Sequence, residues 1–220
     1  KLKLDRTPYT ERHEFQLDQV FGDESTNEQI YQRMVQPLVH FALNGGRSTC
    51  FAYGQTGSGK TFTMMGAARA GIIGLYSYAV FELFNYLPSN LTLELSFFEI
   101  YDAKLYDLLN NKKQIKALQD RDKNVQIVGL HKQLVTNLPD VFKYIDAGLS
   151  LRSQAATGAN ADSSRSHAIL QFTLRLKQKK STNPNAIKKY QPIDATPSLP
   201  NGTLRFIDLA GSERGSVLHK

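Results

Sequence analysis

Residues 54–61 read Gly54-Gln55-Thr56-Gly57-Ser58-Gly59-Lys60-Thr61, which matches the pattern G-x-x-x-x-G-K-[ST]. The preceding residues, 48–53, predict a short buried strand. Glycines in such a loop let backbone N–H groups surround phosphate oxygens. Lys60 would place a cation on the β- and γ-phosphates, and the Thr61 hydroxyl can bind Mg²⁺. We therefore predict nucleotide binding, rather than a plain glycine-rich turn with an exposed lysine.

A second candidate element follows a predicted apolar strand at 204–207 and reads Asp208-Leu209-Ala210-Gly211. An aspartate at the carboxyl end of a strand can hold part of a Mg²⁺ shell, and the Gly211 N–H can bind a γ-phosphate. The pattern D-x-x-G is weak by itself. The phosphate-binding loop upstream makes it a candidate nucleotide-sensing element.

A third candidate element reads Asn160-Ala161-Asp162-Ser163-Ser164-Arg165-Ser166-His167. Seen alone, it predicts a polar loop before a strand. Near a triphosphate, the adjacent hydroxyls of Ser163 and Ser164 can bond the γ-phosphate and the attacking water. Arg165 would need an acidic partner, and Glu213 is the natural candidate.

The composition of the 220 residues is that of an ordinary globular protein, with 41% hydrophobic and 21% charged residues. Wholesale disorder and a fibrous protein are excluded. A single cysteine, Cys50, rules out an internal disulfide framework and a cysteine-cluster metal site, and predicts a reducing, cytosolic setting. Residues 1–6 lack the apolar core of a signal peptide, and no stretch approaches the ~18 apolar residues of a membrane span. We expect no membrane partner.

The net charge of +7 is concentrated in residues 171–191, a span without acidic residues. Its basic residues are Arg175, Lys177, Lys179, Lys180, Lys188 and Lys189. Because the rest of the chain is almost neutral, we expect no nucleic-acid partner and interpret the span as a solvated loop, with an anionic-partner site as the alternative. Residues 183–201 also hold four of the eight prolines. We predict a disordered basic insertion at about 177–202.

Hydrophobic spacing predicts the first helix. Ser25 and Glu28 form a candidate capping box, and apolar residues follow at helical spacing through Phe41. Pro37 should kink this helix, which Asn44-Gly45-Gly46 ends. A weak alternation around residues 13–17 is typical of a strand.

The remaining pattern alternates strands with helices. It predicts strands at 91–101, 125–128, 167–176 and 204–207, and helices at 71–87 and around Val141, Ile145 and Leu149, the latter entered through Pro139. Such alternation indicates α/β layering around a largely parallel sheet.

The three elements in this order resemble the kinesin motor domain family. The resemblance spans nearly the whole chain and is specific, because other P-loop families do not combine 54–61, 160–167 and Asp208-Leu209-Ala210-Gly211-Ser212-Glu213. It implies a P-loop NTPase fold: a central, mostly parallel mixed β-sheet flanked by helices on both faces. It also implies an ATPase that uses ATP and Mg²⁺ and binds microtubules in the cytoplasm. Spindle, ciliary and flagellar microtubules are alternative locations.

The same resemblance assigns roles to residues. It implies nucleotide binding by residues 54–61, a switch I at 160–167 and a switch II at 208–213. Metal binding would fall to Thr61, Ser163 and Asp208, and catalysis to Ser163, Ser164, Arg165, Gly211 and Glu213. Arg165 and Glu213 would form an ion pair that closes around ATP before hydrolysis.

Finer features resemble the internal-motor, microtubule-depolymerising kinesins. Lys3-Leu4-Asp5 resembles the Lys-Val-Asp finger of that subfamily and would contact tubulin at filament ends; the alternative is a frayed terminus. Ser212 stands where the subfamily usually has asparagine. The family's Arg-x-Arg-Pro segment and its main microtubule-binding helix do not occur within 1–220, so we expect a partial motor domain.

Other functional classes share parts of this pattern. A non-motor scaffold that binds nucleotide or tubulin without turnover would share the same core, as would an inactive motor fragment. A small-molecule kinase would need acceptor-site residues and an arginine-bearing lid, which the sequence does not offer. Microtubule-stimulated phosphate release separates the motor from the scaffold.

Overall fold

The computed structural model describes residues 10, 12–67, 70–154, 165–177 and 202–213. Its helices are α1 Asn27–Ile30, a π-helical segment Tyr31–Val35, α2 Gln36–Leu43, α3 Lys60–Met65, α4 Leu75–Tyr86 and α5 Leu138–Gln154. Its strands are β1 Arg47–Ala52, β2 Gly66–Ala67, β3 Ile72–Ile73, β4 Leu91–Tyr101, β5 Lys104–Asp107, β6 Lys113–Gln119, β7 Val125–Val128, β8 Gln133–Val135, β9 His167–Leu176 and β10 Thr203–Asp208. Within these ranges, no helix has the length and apolar character to cross a bilayer.

Most predicted elements are confirmed. The strands at 91–101, 125–128 and 167–176 have the predicted bounds, and α5 contains the predicted apolar positions. The strand predicted around 13–17 is wrong, because residues 12–17 form no regular structure. The helix predicted from residue 71 begins only at Leu75, since β3 of a small hairpin precedes it.

The central sheet has eight strands in the order β1-β10-β9-β4-β5-β6-β7, with β8 beside β4. A mixed sheet is confirmed, but the expectation of mostly parallel strands is wrong. Among the described strands, β1 and β10 pair in parallel, and the other pairs of this sheet are antiparallel. Short turns connect β4 to β5 and β5 to β6, and such turns can only join antiparallel neighbours.

The first helix begins one residue later than predicted. Its N-cap is Thr26: the Gln29 N–H donates to the Thr26 hydroxyl oxygen at 3.3 Å, and the Thr26 N–H donates to Gln29 Oε1 at 3.0 Å. This register turns Asn27 inward, where its side-chain amide donates to the Ile73 carbonyl at 2.9 Å. The buried contact of Asn27 explains why Thr26 and Gln29 cap the helix instead of Ser25 and Glu28.

The predicted weak point at Pro37 is confirmed. Pro37 lies in the first turn of α2, directly after the π-helical segment. Proline cannot donate a backbone hydrogen bond, and its ring crowds the preceding turn, so the regular α-helical pattern is interrupted there. The wider π turn brings Tyr31, Gln36 and His40 to one side of the helix, where all three contact Glu82 of α4.

We expect Glu82→Ala to destabilise the fold by roughly 1–3 kcal/mol, because the buried Tyr31 hydroxyl would lose its acceptor. The carboxylate accepts from Tyr31 Oη and from Gln36 Nε2 at 3.0 Å, and His40 Nε2 lies 2.7 Å from Oε1. Burial, followed by the bond to Glu82, raises the pKa of Tyr31, which therefore remains a donor. Urea unfolding measures the change, and the exposed Glu24→Ala should shift stability by less than about 0.5 kcal/mol. Equal effects of the two variants would show that the cluster contributes nothing.

All the described helices pack on one face of the sheet. Their buried side chains join those of β4, β9 and β10 in one large core that includes Val39, Leu83, Phe97, Ile145 and Phe206. The opposite face carries a smaller cluster centred on Phe98, Ile115 and Ile169, all from strands. Helices on both faces are therefore not seen in the described part of the chain. The candidate site is positioned by elements of the helix-packed face.

Candidate functional site

The loop predicted to bind phosphate joins the end of β1 to the start of α3. Gly57 and Gly59 have φ values of 81° and 89°, in the left-handed region that side-chain-bearing residues rarely adopt. Gly59 is also the N-cap of α3, which begins at Lys60. The glycines therefore allow the chain to turn sharply between β1 and α3, and binding of phosphate by the loop N–H groups stays a prediction.

The Lys60 ammonium lies over this loop. Its Nζ donates to the Gly54 carbonyl at 2.8 Å and to the Gln55 carbonyl at 2.9 Å. A lysine ammonium has three donors, and loop carbonyls are partners that it can exchange for phosphate oxygens. The Lys60 ammonium thus lies on the loop, and its contact with phosphate oxygens stays a prediction.

Asp208 ends β10 and is almost fully buried. Its Oδ2 accepts from the Thr61 hydroxyl at 3.0 Å and from Arg152 Nη1 at 2.7 Å. The parallel register that pairs Ala52 of β1 with Asp208 brings the predicted phosphate loop and the predicted switch II to the same edge of the sheet. Arg152 also donates to the Ser166 hydroxyl at 3.2 Å and to the Ser166 carbonyl at 3.0 Å. One arginine therefore connects the end of α5, the end of the predicted switch I and switch II.

The residues after Asp208 run back across the phosphate loop. The Ala210 N–H donates to His167 Nδ1, and the Ser212 N–H donates to the Gly54 carbonyl, both at 3.0 Å. The Glu213 carboxylate accepts from the Thr56 N–H at 2.9 Å and from the Thr56 hydroxyl. The hydrogen bond from the Thr56 hydroxyl is the main cause that lowers the pKa of Glu213, with Lys60 contributing a smaller attraction.

Gly211 lies against this contact with no room for a side chain. A Cβ at Gly211 would sit 2.2 and 2.4 Å from the carboxylate oxygens of Glu213 and 2.5 Å from Thr56 Oγ1. We expect Gly211→Ala to displace Glu213 from Thr56, so that the pKa of Glu213 rises towards that of an ordinary glutamate. Because the exposed side chain of Glu213 can move aside, the melting temperature should change little.

Side-chain carboxyl NMR shifts followed through a pH titration measure this pKa. Gly22→Ala is the matched control, because a Cβ at Gly22 meets nothing within 4 Å. If the pKa of Glu213 stayed depressed in Gly211→Ala, the Thr56 contact would not be its cause.

The expected ion pair between Arg165 and Glu213 is not formed in this structure. Arg165 is exposed, and Glu213 is instead bound by Thr56, which satisfies its carboxylate from the side of the phosphate loop. Ser163 and Ser164 lie outside the described residues, as do Lys3-Leu4-Asp5 and residues 178–201 of the predicted insertion. Their assigned roles remain predictions.

Sequence reasoning missed Arg152. The residue lies on the same helical face as Ile145 and Leu149, whose spacing predicts only an apolar face. An arginine at the next position of such a stripe, with its side chain 5% exposed, needs a buried anion. The position of Arg152 on an otherwise apolar helical face was the feature of the sequence that could have identified it. Its partner, 56 positions away in sequence, could not be deduced from spacing.

The donor set at the loop fits Mg²⁺ bound together with a nucleotide. Mg²⁺ prefers oxygen ligands and is commonly held by one or two protein groups plus substrate phosphates. The Thr61 hydroxyl and the Asp208 carboxylate supply such oxygens 3.0 Å apart. Among the described residues, no group of three His, Cys, Asp or Glu side chains could hold a metal by itself. The site therefore suits a cation that arrives with phosphate.

Fold and site together define a P-loop nucleotide-binding fold. The family model for the kinesin motor domain matches residues 1–220. The chain belongs to the kinesin motor domain family.

Individual relatives agree with this assignment. The human kinesin-like protein KIF24 is 40% identical, and KIN-13A from Oryza sativa subsp. japonica is 41% identical, each over 98% of this chain. KIN-13B from Arabidopsis thaliana is 42% identical over the same share. A solved structure of a fast kinesin, described for its ATPase mechanism and interactions with microtubules, superposes with a TM-score of 0.78 at 30% identity, covering 94% of this chain and 56% of that one.

The chain is short beside these relatives. It spans 15% of human KIF24, 26% of the rice protein and 29% of the Arabidopsis protein. Family membership is therefore established for these 220 residues, and the activity of the whole protein is a proposal.

Proposed function

We propose that this chain is the nucleotide-binding core of a microtubule-stimulated kinesin ATPase that uses ATP with Mg²⁺. The observation that carries the proposal is the hydrogen bond from the Thr61 hydroxyl to Asp208 at 3.0 Å. It joins the phosphate loop to the switch II element, as a site that must sense a bound γ-phosphate requires. A glycine-rich turn without this function would not need a buried aspartate behind it.

Each residue has a role in this proposal. Lys60 would exchange loop carbonyls for β- and γ-phosphate oxygens, and Gly211 would offer its N–H to the γ-phosphate. Ser163 and Ser164 would bond the γ-phosphate and the attacking water. Bound Mg²⁺ supplies charge neutralisation to the phosphates and would be held by Thr61, Asp208 and Ser163. Catalysis would then be mostly positioning and electrostatic stabilisation.

Glu213 would change partners during the cycle. In this structure Thr56 binds its carboxylate, while the family resemblance implies a pair with Arg165 when the site closes around ATP. Arg165→Ala and Glu213→Ala should each slow ATP hydrolysis while initial ATP binding is preserved. If the two side chains act as a pair, the double variant should be no slower than either single variant. Stopped-flow binding and single-turnover hydrolysis measure the two steps, and additive losses would contradict the pairing.

The test of the proposal is phosphate release from ATP in the protein carrying this sequence. We expect turnover that requires Mg²⁺ and is lost in Lys60→Ala. Tight ATP binding without any phosphate release in the presence of microtubules would favour the non-motor scaffold instead.

We also propose that the whole protein acts on microtubule ends in the cytoskeleton, as a depolymerase. The support is the resemblance of Lys3-Leu4-Asp5 to the finger of the depolymerising subfamily, the kinesin-thirteen class, together with relatives that carry the KIN-13 name. Replacing these three residues by alanine should reduce tubulin release from stabilised microtubules, while ATP turnover without microtubules stays nearly unchanged. Sedimentation of released tubulin measures the effect. Directed walking without tubulin release would contradict the depolymerase.

A further inference from the structure

A buried ion pair outside the site joins Glu99, near the end of β4, to Lys112. The Lys112 Nζ lies 2.7 Å from Glu99 Oε1, and the two side chains are 26% and 4% exposed. A carboxylate this deeply buried requires a paired cation, since removal from water strongly disfavours its charge. None of the roles assigned above uses this pair.

Lys112 occupies a position in its turn where a lysine is strained. The turn between β5 and β6 closes with the Lys113 N–H donating to the Asn110 carbonyl at 2.9 Å, and its central residues Asn111 and Lys112 have φ values of 49° and 56°. Two such positive φ values are typical of a type I′ turn, whose second central position favours glycine; this turn ends the connection 108–112 between β5 and β6. The geometry of the turn therefore does not explain a lysine at position 112. The ion pair between its ammonium and Glu99 does.

The pair lies next to the strand that carries the end of switch I. Glu99 is opposite Ala168 of β9, which in turn is opposite Asp208 of β10, so these residues share one row on the helix-packed face. The next pair along is Ile100 with His167. His167 holds the Ala210 N–H of switch II at 3.0 Å. The end of β4 thus supports the start of β9 where it contacts switch II.

We propose that Lys112 is a positioning residue for the nucleotide site. By neutralising Glu99 it keeps the end of β4 paired with the start of β9, and so holds His167 against the Ala210 amide. Without Lys112, the Glu99 carboxylate must reach water, and the strand ends at Ile100 and His167 open to allow it. An effect of Lys112 on ATP turnover rests on the proposed function. The effect of Lys112 on the contact between His167 and Ala210 does not.

Amide hydrogen exchange tests this step with variants of two similar turns. Lys112→Gly relieves the strained turn and removes the ammonium, whereas Ala103→Gly relieves the same strain in the β4–β5 turn, where Ala103 has φ of 57° and no charge is lost. We expect Lys112→Gly to speed exchange of the Ala210 amide about tenfold through local opening. Ala103→Gly should leave it unchanged, and exchange of the Phe172 amide in mid-β9 should change in neither variant.

Conservative and compensating variants complete the test. Lys112→Arg keeps a cation and should keep the Ala210 amide protected. Adding Glu99→Gln to Lys112→Gly removes the buried charge and should restore protection. Should Lys112→Gly not fold, Glu99→Gln alone decides: a protected Ala210 amide supports charge neutralisation as the function of Lys112, and a tenfold faster exchange overturns it.

Two results would overturn the proposal. One is an Ala210 amide that exchanges at the wild-type rate in a folded Lys112→Gly variant. The other is an equal acceleration in Lys112→Gly and Ala103→Gly, which would assign the effect to turn geometry. ATP binding measured in parallel keeps the two hypotheses apart: wild-type protein that failed to bind ATP would contradict the proposed function, while the exchange result would still decide the role of Lys112.

Discussion

Replacing Lys60 by alanine is expected to weaken ATP binding by at least the ~2–5 kcal/mol typical of truncating one member of a buried charge pair, which is about 30-fold or more. The ammonium lies over the loop, held 2.8 and 2.9 Å from two loop carbonyls, and no other lysine replaces it in residues 54–61. Because those carbonyl contacts are local, the fold itself should be retained. Equilibrium titration with a fluorescent ATP analogue and Mg²⁺ measures the loss.

Lys116→Ala is the matched control for this change. Lys116 is an exposed lysine on β6, so its loss alters the net charge equally without touching the loop. We expect its ATP affinity to equal that of the wild type. Unchanged affinity in Lys60→Ala, or an equal loss in both variants, would contradict the assignment of the loop.

The second large effect is expected at Arg152. Arg152→Ala would leave Asp208 buried without its cation, a change that typically costs about 3–5 kcal/mol of folding stability. Both side chains are 5% exposed or less, and their charged atoms lie 2.7 Å apart. The loss of two further hydrogen bonds to Ser166 adds to the effect. Urea unfolding measures the free energy.

Arg175→Ala provides the comparison for this variant. Arg175 lies 2.6 Å from Glu94, but its side chain is 40% exposed, and exposed pairs contribute about 0–1 kcal/mol. If Arg152→Ala were no more destabilising than Arg175→Ala, burial of the Arg152–Asp208 pair would add nothing to the stability of the fold. The difference between the unfolding free energies of the two variants is therefore more informative than either free energy alone.

The sequence predicted the strands well where hydrophobic residues run continuously, as in β4 and β9, because burial alone determines such strands. The sequence did not predict the relative direction of neighbouring strands, which is mostly antiparallel in the described sheet. Hairpin turns are recognised from Asn-Gly or Asp-Gly pairs, and here the central residues are Asp102-Ala103 and Asn111-Lys112. Without a glycine, nothing in the sequence marked these turns as type I′, so a parallel sheet was inferred instead.

The candidate site was predictable where the residues of a motif have fixed positions relative to one another. The contact of Thr61 with Asp208 follows from two motifs that end neighbouring strands. The contacts of Arg152 with Asp208 and of Thr56 with Glu213 did not follow, because each joins residues more than 50 positions apart without a fixed spacing. Arg152 lies on α5 and Glu213 lies beyond the end of β10, and no motif in the sequence links either residue to its partner.

The central claim is that this site hydrolyses ATP under the control of microtubules. The most direct measurement is the ATP turnover rate of the protein carrying this sequence, with Mg²⁺, in the absence and presence of polymerised tubulin. We predict slow turnover alone and a clear increase with microtubules that saturates as their concentration rises, both abolished by Lys60→Ala. An identical rate with and without microtubules, or turnover that survives Lys60→Ala, would contradict it.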